Sequence, residues 1–134
     1  MENSAFIKFI KILFKGEFYM SYKVTHANEA YVYEAAGHYD VRTTRLHDPQ
    51  DVNEGQLIMG LSHFLPGGGL EENTNALEFI YYVAKGEMTV TVEGKDVVLK
   101  AGDSIHCGPN TKKAAKNTGI CAAEMLVVLL PPKK

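Results

Sequence analysis

The sequence predicts an all-β domain. From Tyr31 onward, short apolar and alternating runs sit between turn residues, and no helix-length period interrupts them. The last of these runs, Met125-Leu126-Val127-Val128-Leu129-Leu130, is long and wholly apolar, as a strand buried between layers would be. A chain of 134 residues makes one domain, burying roughly two-thirds of its unfolded surface in a single core.

Taken in order, the expected strands are 31–34, 41–46, 56–65, 79–84, 87–93, 96–99, 104–107, 112–116 and 122–130. The first, Tyr-Val-Tyr-Glu, is aromatic and β-branched, the composition that fits a pleated surface. In the second, Arg42 and Arg45 are an odd number of residues apart and face opposite ways, so one at most meets a ligand; a solvated edge suits both. The third ends at Pro66-Gly67-Gly68-Gly69, read as a sharp corner. Glycine runs also cradle phosphates, but neither a helix nor a GKS or GKT sequence follows this one. Lys85-Gly86-Glu87 is a reversal, and Glu93-Gly94-Lys95 is a tight hairpin between Thr89-Val90-Thr91-Val92 and Val97-Val98-Leu99. About eight antiparallel strands closed by a long apolar one imply a double-sheet jelly-roll barrel.

Composition narrows the function. Apolar residues make up 46% and charged residues 22%, ordinary for a globular protein, and a net charge of −2 offers no basic stripe for nucleic acid. Cys107 and Cys121 fall on different expected strands, and nothing else suggests a disulfide framework, so both read as reduced and the protein as cytoplasmic. The apolar segment 6–15 is too short and too lysine-rich to span a membrane, and no signal-peptide cleavage site follows it. Lys15-Gly16-Glu17 can be encoded by a bacterial ribosome-binding sequence with Met20 at initiation spacing, which makes 1–19 a translated upstream region. Alternatively, apolar residues at 6, 9, 10, 13 and 14 form the face of an amphipathic arm.

Two motifs carry a family likeness. The stretch 102–119 lies without gaps on the pattern G-D-x5-P-G-x2-H-x3-N-T-G, keeping Gly102, Asp103, Pro109, Asn117, Thr118 and Gly119 but placing Lys113 at the histidine. A first pattern, G-x5-H-x-H-x3-4-E-x6-G, is anchored by Pro66 to Gly69 and by Gly86; its glutamate falls on Phe79, and its histidines on Glu72 and Thr74 or, with shorter spacing, on Asn73 and Asn75. The region 57–131 thus resembles the cupin family. That resemblance implies a double-stranded β-helix, the jelly-roll barrel, commonly dimeric and with a ligand site at one open end. It also implies that none of the four usual metal ligands survives at its aligned position, so no metal and no other cofactor is expected.

Alternation fixes the rest of the reading. With Phe79 inward, Tyr81 and Val83 also point into the barrel while Glu78, Ile80 and Tyr82 point out; a bulge would be needed to turn Glu78 inward. Lys113, at the inward histidine position, needs a partner if buried, and Glu72 at the first histidine position is the expected one. A one-residue register shift would put Lys112 inward instead, or Lys113 would reach past the rim to water. His63 and His106, on barrel strands, are the candidate proton carriers, although a hydrogen-bonded structural histidine is the plain alternative for each. His26, His38 and His47 precede the barrel motifs.

Three functions follow. The first is a metal-free barrel, a homodimer by default, that binds a small anionic molecule through Lys113, Glu72, Phe79, Tyr81 and Asn75, as an isomerase, lyase or sensor, with His63 or His106 catalytic. The second is a metal enzyme of oxygenase or epimerase type with displaced ligands drawn from His63, His106, Glu72 and Glu78. The third is a structural or assembly role with no ligand, the interior being filled by Phe79, Tyr81 and methionines. No nucleic-acid or membrane partner is expected.

Overall fold

The computed structural model describes residues 21–52 and 57–131, so the segment 1–19 lies outside the described residues. Among the described residues nine strands follow in order: β1 (Tyr31–Tyr33), β2 (His38–His47), β3 (Ile58–Asn73), β4 (Glu78–Lys85), β5 (Glu87–Val92), β6 (Lys95–Lys100), β7 (Ser104–Cys107), β8 (Lys113–Lys116) and β9 (Ala123–Leu130). All pair antiparallel, in the order β6-β5-β8-β3-β9-β4-β7, with β2 on β3 and β1 on β2. The result is a nearly closed jelly-roll barrel.

Its corner is made inside two long strands. The glycine run, expected to end a strand, lies within β3, whose first half pairs with β9 and whose second half pairs with β8. Strand β2 turns alongside: Val41 pairs with Phe64 and Tyr39 with Gly69, leaving Asp40 opposite four residues of β3. Positive φ at Asp40 (49°) and Gly67 (83°) supplies the bend, and Pro66 sits in this unpaired stretch, where no amide donor is required of it. A Cβ on Gly69 would lie 2.1 Å from the Ala115 carbonyl oxygen, so backbone packs directly on backbone there.

Asn117 locks the corner. Its Nδ2 donates to the carbonyls of Phe64 (3.1 Å) and Cys121 (2.8 Å), and its Oδ1 accepts the Gly119 amide at 3.0 Å. Its backbone closes two more bonds, with Gly67 and Gly68. Within the matched motif, then, the asparagine holds the β8–β9 connection against β3. Asn110, at the motif's second glycine, takes φ 61°, a left-handed conformation that asparagine tolerates better than most residues.

Gly86 reverses the chain, though not as a hairpin: β4 pairs with β7 and β9, and β5 with β6 and β8, so the glycine carries the chain between two separated parts of the barrel sheet. Glu93 and Gly94, both at positive φ, form the two-residue turn between β5 and β6 that the sequence announced. Phe64, Phe79, Val83, Met88 and Val90 are at most 1% exposed and form the core, each contributing about 1.5–3 kcal/mol. Among the described residues no helix is long and apolar enough to cross a membrane.

Candidate ligand-binding cavity

Inward-facing residues of six strands surround a cavity of about 510 Å³, with Tyr33, Arg45, Ser62, Tyr81, Lys113 and Val127 on its wall. That volume lies in the range that holds small organic ligands. Strand β4 supplies Tyr81 to the wall, whereas Phe79, expected there, is packed in the core and does not line the cavity. Phe79, Tyr81 and Val83 point inward as alternation requires, and the Phe79 and Tyr81 ring centroids stand 4.6 Å apart. Burial pushes the Tyr81 hydroxyl well above its ordinary acidity range, so it stays protonated.

Lys113 is 3% exposed and reaches into this cavity. Its Nζ donates to Asn73 Oδ1 at 3.2 Å and lies 4.1 Å from the Phe79 ring centroid. Burial pushes its ammonium down from the ordinary value of 10.5, opposed by the nearby Cys107, whose own buried thiol is pushed up. No described carboxylate pairs with it.

The expected partner lies elsewhere. Glu72 meets Lys112 at 3.5 Å on an exposed edge of the cavity, each side chain being 54% exposed. The cause is a bulge in β3: Leu70 pairs with Ala115 and Asn73 with Lys113, so three steps on β3 match two on β8. One extra residue shifts Glu72 off the position facing Lys113 and brings Asn73 there. Asn75 lines the cavity too, its Oδ1 accepting the Leu77 amide at 2.9 Å.

A second cation was not expected here. Arg45, read as a solvated edge residue, lines the same cavity, stacks 4.7 Å from the Tyr33 ring and bonds Asp48 Oδ1 at 2.9 Å. Its Nε is buried without a hydrogen-bond partner, an open donor in a low-dielectric wall. The odd spacing that set Arg42 and Arg45 on opposite faces was legible; which face met the cavity was not.

The histidines also redistribute. His106 stands on the outer face of β7, 57% exposed, with Nε2 donating to Glu78 Oε2 at 2.5 Å. Glu78 therefore points outward, and β4 carries its register shift further on, between Val83 and Lys85. His63 alternates with the inward Ser62 and Phe64 and faces out toward Glu124 at 3.8 Å. Of the five histidines, His38 is the one on the cavity wall. Its Nδ1 donates to the Ala36 carbonyl at 3.0 Å, which leaves Nε2 as the lone-pair nitrogen of the neutral ring.

Comparison with known proteins settles the family. The cupin domain model matches residues 60–129, just over half the chain. The chain belongs to the cupin family. A protein of Mycobacterium tuberculosis named beta-D-galactosidase is 34% identical over 110 residues, covering 82% of this cupin and 95% of that relative. Among solved structures, one named a predicted oxalate decarboxylase from Thermotoga maritima superposes with a TM-score of 0.72 at 21% identity, over 82% of this cupin and 100% of the other chain. The polyketide cyclase RemF of Streptomyces resistomycificus gives 0.70 at 16% identity, over 82% and 80%. At such identities these two attest the fold alone.

The donors in this cupin do not suit the divalent metal usual in the fold. The places of three histidines and a glutamate hold Glu72 and Thr74 or Asn73 and Asn75, with Lys113 and Phe79; Asn73 is the one set against Lys113, and an ammonium repels a cation. Displaced ligands do not converge either. His63 on β3 and His106 on β7 are separated by β9 and β4, and no cluster of three or more His, Cys, Asp or Glu forms among the described residues.

Proposed function

We propose that this cupin binds a small organic anion in its barrel cavity, held by Lys113 and Arg45 without a metal. The observation that carries the reading is Lys113: a lysine 3% exposed, on a cavity wall, with no described carboxylate beside it. An unpaired buried charge is costly, and a ligand carboxylate would offset that cost. Arg45 adds an always-charged donor with an open Nε, and Tyr81 with Val127 and Leu129 gives an apolar wall for the ligand's carbon skeleton. His38 is the group best placed to carry a proton at this site, where an isomerisation or elimination beside a carboxylate is the reaction class to try.

The test is a thermal-shift screen with small aliphatic, aromatic and sugar carboxylates on wild type, Lys113→Met and Arg45→Met. Stabilisation of wild type that either substitution abolishes supports the reading; equal shifts in all three proteins, or none at all, overturn it.

A second reading rests on the relative named beta-D-galactosidase. Glycoside hydrolysis uses two carboxyl groups, and Glu71 and Glu72 both line the cavity. Release of nitrophenol from a nitrophenyl galactoside, lost in both Glu71→Gln and Glu72→Gln, would favour this reading over the first.

A further inference from the structure

We propose that the Lys113 amine captures the carbonyl carbon of a small α-keto acid as an imine, with Arg45 holding the keto acid's carboxylate. The inference rests on the anion-binding reading above and adds the substrate class and a covalent role.

Lys113 Nζ has two direct contacts, the Asn73 amide oxygen at 3.2 Å and the Phe79 ring at 4.1 Å, with the Cys107 thiol nearby and pushed up by its own burial. Neither is a base that would hold a proton on the nitrogen, and the amide oxygen can accept a hydrogen bond from a neutral amine, a weaker one than from an ammonium. A lysine meant only as a fixed cation is normally matched with a carboxylate, yet the nearest glutamate along β3, Glu72, is engaged with Lys112. Burial in the same wall pushes the amine toward its neutral, nucleophilic form. The cavity then provides what an α-keto acid needs: an arginine for the carboxylate, an amine for the adjacent carbonyl, and the His38 ring to move protons.

The chemistry balances without an oxidant or reductant. The nitrogen lone pair forms a C–N bond to the carbonyl carbon while the C=O π electrons pass to oxygen. That oxygen takes up two protons in turn and leaves as water as the C=N bond forms. Ammonium plus carbonyl becomes iminium plus water, so the positive charge facing the carboxylate is retained.

Borohydride added to the full chain with pyruvate, 2-oxobutyrate or phenylpyruvate would reduce such an imine to a stable secondary amine, located by peptide mass mapping. The expected result is one reduced adduct per chain, on Lys113 in preference to every other lysine, and absent from Lys113→Arg. Mapping within the wild-type protein keeps the test decisive even where Lys113→Arg fails to fold. Adducts spread over surface lysines, or none, overturn the imine. Thermal shifts with isobutyrate, a carbonyl-free match to pyruvate, separate the two readings: a shift without an adduct sinks the imine alone, while neither shift nor adduct sinks both.

Discussion

The Lys113 ammonium lies 4.1 Å from the centre of the Phe79 ring, a neutral contact beside its one hydrogen bond, to the Asn73 amide oxygen at 3.2 Å. A cation over an aromatic face gains about 0.5–2 kcal/mol, whereas taking an ammonium out of water costs several kcal/mol. On the proposed reading, this imbalance is the stability given up to keep a cation for the ligand. Lys113→Met, which keeps the shape and removes the charge, is expected to stabilise the ligand-free protein by about 1 kcal/mol, a few degrees in melting temperature. A loss of stability would show that Asn73 and Phe79 already satisfy the ammonium.

The same lysine sets a pH dependence. Its folded pKa lies below the ordinary 10.5, so between the two values the unfolded chain binds more protons and stability rises with pH. The destabilisation is full below the folded pKa and gone above 10.5. Urea midpoints of wild type and Lys113→Met should therefore converge as pH climbs toward 10.5. A gap that stays constant across that window would contradict the assignment.

Acid stability is assigned to Asp51. Burial alone would raise its pKa, but the Lys23 ammonium at 2.8 Å, the Asp48 amide and His47 bring it below 3.8. Its contribution is present above 3.8 and lost as pH falls through the lower folded value. Asp51→Asn should flatten the acid limb of a stability profile while changing the alkaline limb little.

At the corner of β3, Gly69→Ala should prevent folding, since its Cβ would fall 2.1 Å from a backbone oxygen that the β8 ladder holds in place. Gly94→Ala is the control: φ is +80° but the space is open, so about 1 kcal/mol is expected. Soluble yield and circular dichroism distinguish the two outcomes.

His63→Ala and His106→Ala should leave ligand-induced thermal shifts unchanged and alter stability by about 1 kcal/mol or less, as exposed ion pairs do. His38→Ala, by contrast, should impair any turnover at the cavity. Impaired ligand binding in the first two variants would mean that the site lies on the outer face of the sheet.

Much of this site could be read from the sequence. A two-residue period is strict, so fixing Phe79 inward also fixed Tyr81 and Val83, and a gapless motif placed Lys113 beside them. The partner of Lys113 could not be read the same way, because a single-residue bulge between Leu70 and Asn73 exchanges Glu72 for Asn73 without disturbing any pattern in the sequence. Arg45 escaped for a related reason. Its face depends on how β2 turns with β3 at Asp40, and a positive φ at an aspartate leaves no sign in composition. The glycine run signalled a bend correctly, but only long-range pairing shows that the strand continues through it.

The most direct test of anion binding is the pKa of Lys113 itself, followed by NMR of its ε-carbon with and without saturating benzoate, isobutyrate or propionate, none of which carries a keto group. A bound carboxylate favours the ammonium, so the account predicts that the depressed pKa rises toward 10.5 with at least one of these anions. A Lys113 pKa unmoved by all three would contradict it.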